Sequence, residues 1–155
     1  MLPVMEPTRT FEPPVAFAPA RADLSRAAQD WLAHLAGERR CSPLTLEAYA
    51  RDLRQFLSFL SLHFGEPPDL AALSGLRTVD LRAFMAHRRA GGAGNRSLLR
   101  QLAGVRSFAR HLERQGLGKA SAFSGVRSPK LARGLPKALR AQDARALTQA
   151  ETRGE

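Results

Sequence analysis

Residues 95–115 read NRSLLRQLAGVRSFARHLERQ, and this stretch decides the fold class. At about 100° per residue, Leu98, Leu102, Val105, Phe108, Ala109 and Leu112 fall within an arc of about 120°. Arg96, Arg100, Arg106, Arg110 and Arg114 occupy an arc of similar width on the other side, interrupted by one acid, Glu113. A helix built only for solubility mixes both signs on its wet face. This one buries one face and offers a positive rail on the other, a surface suited to a phosphate backbone.

The charge of the whole chain agrees. Its 155 residues carry a net charge of +10, from 24 basic and 14 acidic side chains. Residues 1–93 are nearly balanced, with 11 basic and 10 acidic side chains, whereas residues 94–155 hold 13 and 4. Such asymmetry points to a polyanionic partner. Arginine supplies 21 of the 24 cations, which favours forked contacts over point charges. A single cysteine, Cys41, excludes a disulfide framework and a cysteine-based zinc site. No apolar run approaches the ~20 residues of a membrane span and no signal-peptide core follows the N-terminus, so a cytoplasmic location is expected.

Working outward, the spacing predicts three more helices. Leu24, Ala28, Trp31 and Leu35 mark a first, from Asp23 as N-cap to Arg40. A second opens at Ser42-Pro43 and runs to Phe64, where Gly65-Glu66-Pro67-Pro68 stops it. Its apolar face is Leu46, Tyr49, Leu53, Phe56, Leu57, Leu60 and Phe64. After an irregular connection holding Leu70, Leu73 and Leu76, a third starts at Thr78, with Asp80 in its first turn, and ends at Gly91-Gly92. No strand pattern and no repeat occur. The expectation is an all-α, four-helix domain over 21–118. A Pro-rich leader over 1–20 precedes it, with Phe11 and Phe17 as untethered aromatics. A basic linker over 119–137 follows, and 138–155 open the first helix of a truncated second domain.

Catalytic chemistry is not visible. His34, His63, His87 and His111 lie on four different helices without metal-ligand spacing, and His111 reads as an exposed polar residue. Tyr49, the single tyrosine, has the helical phase of a packing residue rather than a nucleophile. Gly91 to Gly94 lacks the strand that a dinucleotide loop requires. The expectation is therefore no enzyme activity in this fragment, no cofactor and no metal. Duplex-binding candidates besides the rail are Arg51 and Arg54 on the second helix, with the small polar Ser42, Thr45 and Ser58. Arg39 and Arg40, at the turn before it, could meet phosphates.

Two runs carry a resemblance. Ser42-x-x-Thr45-x-x-x-Tyr49-x-x-Asp52-Leu53-x-x-Phe56-x-x-Phe59-Leu60 resembles the opening signature of tyrosine recombinases and phage-type integrases. Residues 96–108 resemble the fourth helix of their core-binding domain, with Ala103-Gly104 where Ser-Ala is usual. Ser128-Pro129-Lys130 and Leu135-Pro136-Lys137 resemble the interdomain linker and the entry to the catalytic domain. The wording is most similar to Xer-type recombinases of the XerC branch. The resemblance implies a SAM-like core-binding domain whose second and fourth helices meet the major groove. By position it implies Thr45, Arg51, Arg96, Ser97, Arg100 and Arg106 as contacts. It further implies a site-specific recombinase resolving chromosome dimers, with its catalytic residues in the missing domain. The implied partners are duplex DNA, sister protomers in a tetramer on two sites, and a septal DNA translocase. A stand-alone helical regulator and a helical protein-interaction adaptor are the alternatives.

Overall fold

The computed structural model describes residues 17–129, as four long helices and two short ones with no strand among them. They are α1 (Ala22–Gly37), α2 (Pro43–Phe64), α3 (Leu70–Ser74), α4 (Thr78–Ala90), α5 (Asn95–Arg114) and α6 (Ser121–Ser124). The all-α expectation holds. The helix expected over 138–150, most of the leader with Phe11, and the end of the linker lie outside the described residues.

The helix ends follow local chemistry. Ser42 caps α2, its Oγ accepting the Thr45 N–H at 3.2 Å, with Pro43 in the first turn. Gly65 closes α2 in the left-handed region at φ 81°, where a side chain would be strained. In α4, Asp80 accepts the Arg77 N–H at 2.9 Å, satisfying a donor the helix cannot. α1 departs from expectation at both ends. It begins at Ala22, after an Arg21 that makes no side-chain cap, and Asp23 lies inside the first turn. It stops at Gly37, and Arg40 takes a φ of 51°, which no helix tolerates. The expected irregular connection contains α3, five residues long and capped by Asp69 through the Ala72 N–H at 2.8 Å. Five residues are too few to show a period.

α2 is the central element, packed against α5, α1 and α4. Its Leu46, Leu53, Phe56, Leu57 and Leu60 are fully buried, each contributing about 1.5–3 kcal/mol over an exposed position. Phe56 meets Phe84 of α4 edge-on at 4.9 Å, and Trp31 of α1 meets Phe108 of α5 at 5.2 Å. All six apolar positions of the α5 arc are buried.

Two segments expected to lie outside the core belong to it. Phe17 is fully buried, its N–H donating to Ser25 Oγ at 2.8 Å. The start of the basic linker forms α6, which buries Phe123, followed by buried Val126. Both anchors are single aromatic or β-branched residues in Pro- or Gly-rich surroundings, so neither carries a periodic signal.

Candidate nucleic-acid interface

The five arginines of α5 share one arc but not one environment. Arg100 pairs with Asp52 of α2 through two parallel bonds, Nε to Oδ2 and Nη2 to Oδ1, both 2.9 Å. This fork is the strong form of an arginine–carboxylate contact. The Asp52 hydrogen bond holds the Arg100 guanidinium pKa above its ordinary value. Arg106 turns toward the chain that follows α5. Its Nη2 donates to Val126 O at 2.7 Å and Phe123 O at 3.1 Å, its Nε to Phe123 O at 3.3 Å, and its Nη1 to Ser128 Oγ at 3.1 Å. The resemblance names Arg106 as a duplex contact; in the free chain its guanidinium is bonded within the domain. Arg96, Arg110 and Arg114 are exposed and make no hydrogen bond or ion pair among the described residues. At 100° per residue these three lie within about 40° of one another, in the middle of the arc.

On α2, Arg51 is exposed, and Arg54 is exposed with its guanidinium 5.5 Å from the Phe17 ring centroid. Thr45 is exposed beside Ser42, whose hydroxyl donates to Thr45 Oγ1 at 3.0 Å while capping the helix. Arg39 and Arg40 are exposed in the α1–α2 turn, and Ser97 is half-buried near the start of α5. The Arg100–Asp52 fork ties α2 and α5 side by side, so Arg51 and the free strip of α5 belong to neighbouring helices. A groove of about 380 Å³ runs between α2 and α4, lined by Arg51, Arg54 and Ser58 with His87 and Arg88.

Sequence reasoning missed a buried polar hub behind these side chains. Gln101, 1 % exposed, donates Nε2 to Asp52 O at 3.0 Å and to Gln55 Oε1 at 2.9 Å. Its Oε1 accepts Arg88 Nε at 2.9 Å. The signal was present: Gln101 falls inside the apolar arc of α5, where an amide is admitted only if its bonds are met.

The remaining candidates resolve plainly. Tyr49 packs on Trp31 with centroids 5.9 Å apart. Where Ala is usual, Gly104 lies against Tyr49, and a Cβ there would stand 3.1 Å from the ring, a tight approach. His111 is buried at 5 % exposure rather than exposed, its ring 5.5 Å from that of His34. Burial lowers its pKa below the ordinary value, helped by the charges of His34 and Arg114 and opposed by Asp30. His63 Nε2 sits 2.9 Å from Asp80 Oδ1. Burial alone would raise the Asp80 carboxyl, but the Arg77 N–H, His63 and the Arg77 charge together hold it below its ordinary range. Among the described residues no group of three or more His, Cys, Asp or Glu could hold a metal, and no helix is long and apolar enough to cross a membrane.

Residues 28–116 match the family described as phage integrase, N-terminal SAM-like domain. The chain belongs to that family. Its relatives include the tyrosine recombinase XerC of Brucella suis, 53% identical over 133 residues, covering 86% of this chain and 42% of the relative. The tyrosine recombinase XerC of Bradyrhizobium diazoefficiens is 50% identical over 146 residues, covering 94% of this chain and 46% of the relative. That of Methylobacterium nodulans is 59% identical over 117 residues, or 76% and 36%. This chain is therefore XerC-like, and it spans less than half the length of these relatives. No solved structure matches it.

Proposed function

We propose that this chain is the duplex-DNA-binding N-terminal part of a XerC-like site-specific tyrosine recombinase. The observation that carries the reading is the strip of Arg96, Arg110 and Arg114 on α5, exposed and without a hydrogen bond or ion pair among the described residues, with Arg51 exposed on the neighbouring α2. Like charges held together without acidic partners oppose folding slightly, and a polyanion would offset that. The Arg100–Asp52 fork fixes the two helices as one surface before any ligand arrives, which reduces the ordering cost of binding. Strand cutting and rejoining belong, in this reading, to the part of the relatives that this chain does not cover. Within the described residues the single tyrosine is engaged in packing. Sister protomers on two sites and a septal translocase are the partners proposed for the whole protein.

The test is fluorescence anisotropy of the 155-residue chain on a labelled duplex at several salt concentrations. Each phosphate contact should steepen the fall of log K against log salt by about 0.9. Selection from a random duplex library should then enrich one half-site. Salt-independent binding, or none at 50 mM salt, would overturn the proposal. Steep binding with no enriched sequence would leave a non-specific binder and remove the recombinase-site reading.

A further inference from the structure

We propose that α4 supplies a phosphate contact of its own, Arg88, in the groove between α2 and α4, and that buried Gln101 is the residue that positions it. This rests on the duplex-binding reading and extends it to a helix that neither the arginine rail nor the family resemblance includes.

The groove carries one sign of charge. Arg51 and Arg54 of α2 face Arg88 of α4 across it, with Ser58 and Gln55 between them, and no carboxylate lines it among the described residues. The acid nearest in sequence on α2, Asp52, is buried and forked to Arg100, so it leaves the groove's charge standing. Phe59 and Leu62 share the lining, and three guanidiniums around this half-apolar concavity match the spread oxygens of a backbone phosphate.

Arg88 differs from an ordinary surface arginine in being tethered. Its Nε is bound at 2.9 Å by Gln101 Oε1, which leaves the two terminal nitrogens, with four N–H donors, for a ligand. Gln101 cannot swing away to follow it, because its own Nε2 is held by Asp52 O and Gln55 Oε1. One amide thus joins α5, α2 and α4, and the arginine it holds has lost part of its rotamer freedom before binding. Order that exists in the free protein need not be created in the complex. Asp52 contributes twice: its carboxylate fixes Arg100 and its carbonyl helps fix Gln101.

The experiment is the same anisotropy titration of the 155-residue chain, on a duplex of fixed sequence. Arg88→Gln should make the salt slope shallower by about 0.9. Arg82→Gln, about 120° away around α4, should leave it unchanged. Gln101→Met should weaken binding in the same direction, and the Arg88→Gln/Gln101→Met double variant should bind no worse than Arg88→Gln alone. Arg88→Lys keeps the charge and loses the Nε tether, so its salt slope should stay near wild type while its affinity falls. It serves alone if Gln101→Met fails to fold by circular dichroism. An unchanged slope in Arg88→Gln would overturn the contact. Full additivity in the double variant, or full affinity in Arg88→Lys, would overturn the role of Gln101. Wild-type binding that ignores salt would defeat the duplex reading itself. Salt-sensitive wild-type binding matched by Arg88→Gln would defeat only the groove.

Discussion

Arg106 and Arg110 stand one turn apart on α5 and are indistinguishable in sequence, yet one closes the fold and the other faces water. The same division separates Arg100 from Arg96. The arginines at the two edges of the arc, Arg100 and Arg106, lie against neighbouring elements and are taken up by them. Those in the middle make no hydrogen bond or ion pair among the described residues. A helix face that looks uniform is thus two materials, a structural border and a free strip. What separates them is packing of α2 and α6, which the α5 sequence does not contain.

The largest effect expected from this division is on the border. Arg100→Ala would leave the Asp52 carboxylate, 1 % exposed, buried without its partner. Leaving a buried acceptor without its charged donor costs about 1–3 kcal/mol. Asp52→Ala should cost less, because the Arg100 side chain, 46% exposed, can be hydrated where it stands. Urea unfolding of the two variants measures the difference, and equal losses would mean that the pair is not asymmetrically buried.

Arg106→Ala comes next, at about 2 kcal/mol, since hydrogen bonds from a charged donor contribute more than neutral ones. Its signature is local. Amide hydrogen exchange should accelerate around Phe123 and Val126, whose carbonyls it holds. The salt slope of duplex binding should not move. A shallower slope would return Arg106 to the contact set in which the family resemblance places it.

The sequence was informative where a pattern repeats and silent where one residue acts alone. Twenty residues of α5 and twenty-two of α2 show their faces directly, and the capping Ser42 and closing Gly65 mark the ends of α2. Phe17, Phe123 and Val126 reach the core as isolated anchors, where periodicity has nothing to count. The rail was legible as charge. Its partition was not, because Asp52 is 48 positions from Arg100, and the carbonyls of Phe123 and Val126 are groups every residue has. Gln101 was legible in principle, as an amide in an apolar arc. His111 is buried although its residue type reads as exposed, because its phase lies at the border, next to α1.

That border also gives a pH effect. His111 is depressed by burial first, then by the charges of His34 and Arg114, so the unfolded chain takes up protons before the folded one. The stability it permits is fully present above the ordinary histidine value of 6.5 and falls as pH drops below it. His111→Gln should flatten unfolding free energy between pH 7.5 and pH 5. Arg114→Gln should raise the His111 titration midpoint seen by NMR, although Arg114 itself points outward. An unmoved midpoint would show that the strip's charge does not reach the border.

The smallest effect on stability belongs to the strip itself. Arg96→Gln/Arg110→Gln removes two exposed side chains with no partner among the described residues, so no contact is lost. Each is four residues from another arginine, Arg96 from Arg100 and Arg110 from both Arg106 and Arg114. Like charges at that spacing destabilise a helix by about 0.2–0.5 kcal/mol. Urea unfolding of the double variant should therefore show no loss and a gain of a few tenths of a kcal/mol. Its salt slope on a duplex should be shallower by about 0.9 for each phosphate contact removed. A variant that is more stable and binds less separates ligand from fold. One that loses stability would show that Arg96 or Arg110 is held after all, and the division between border and strip would fail at its centre.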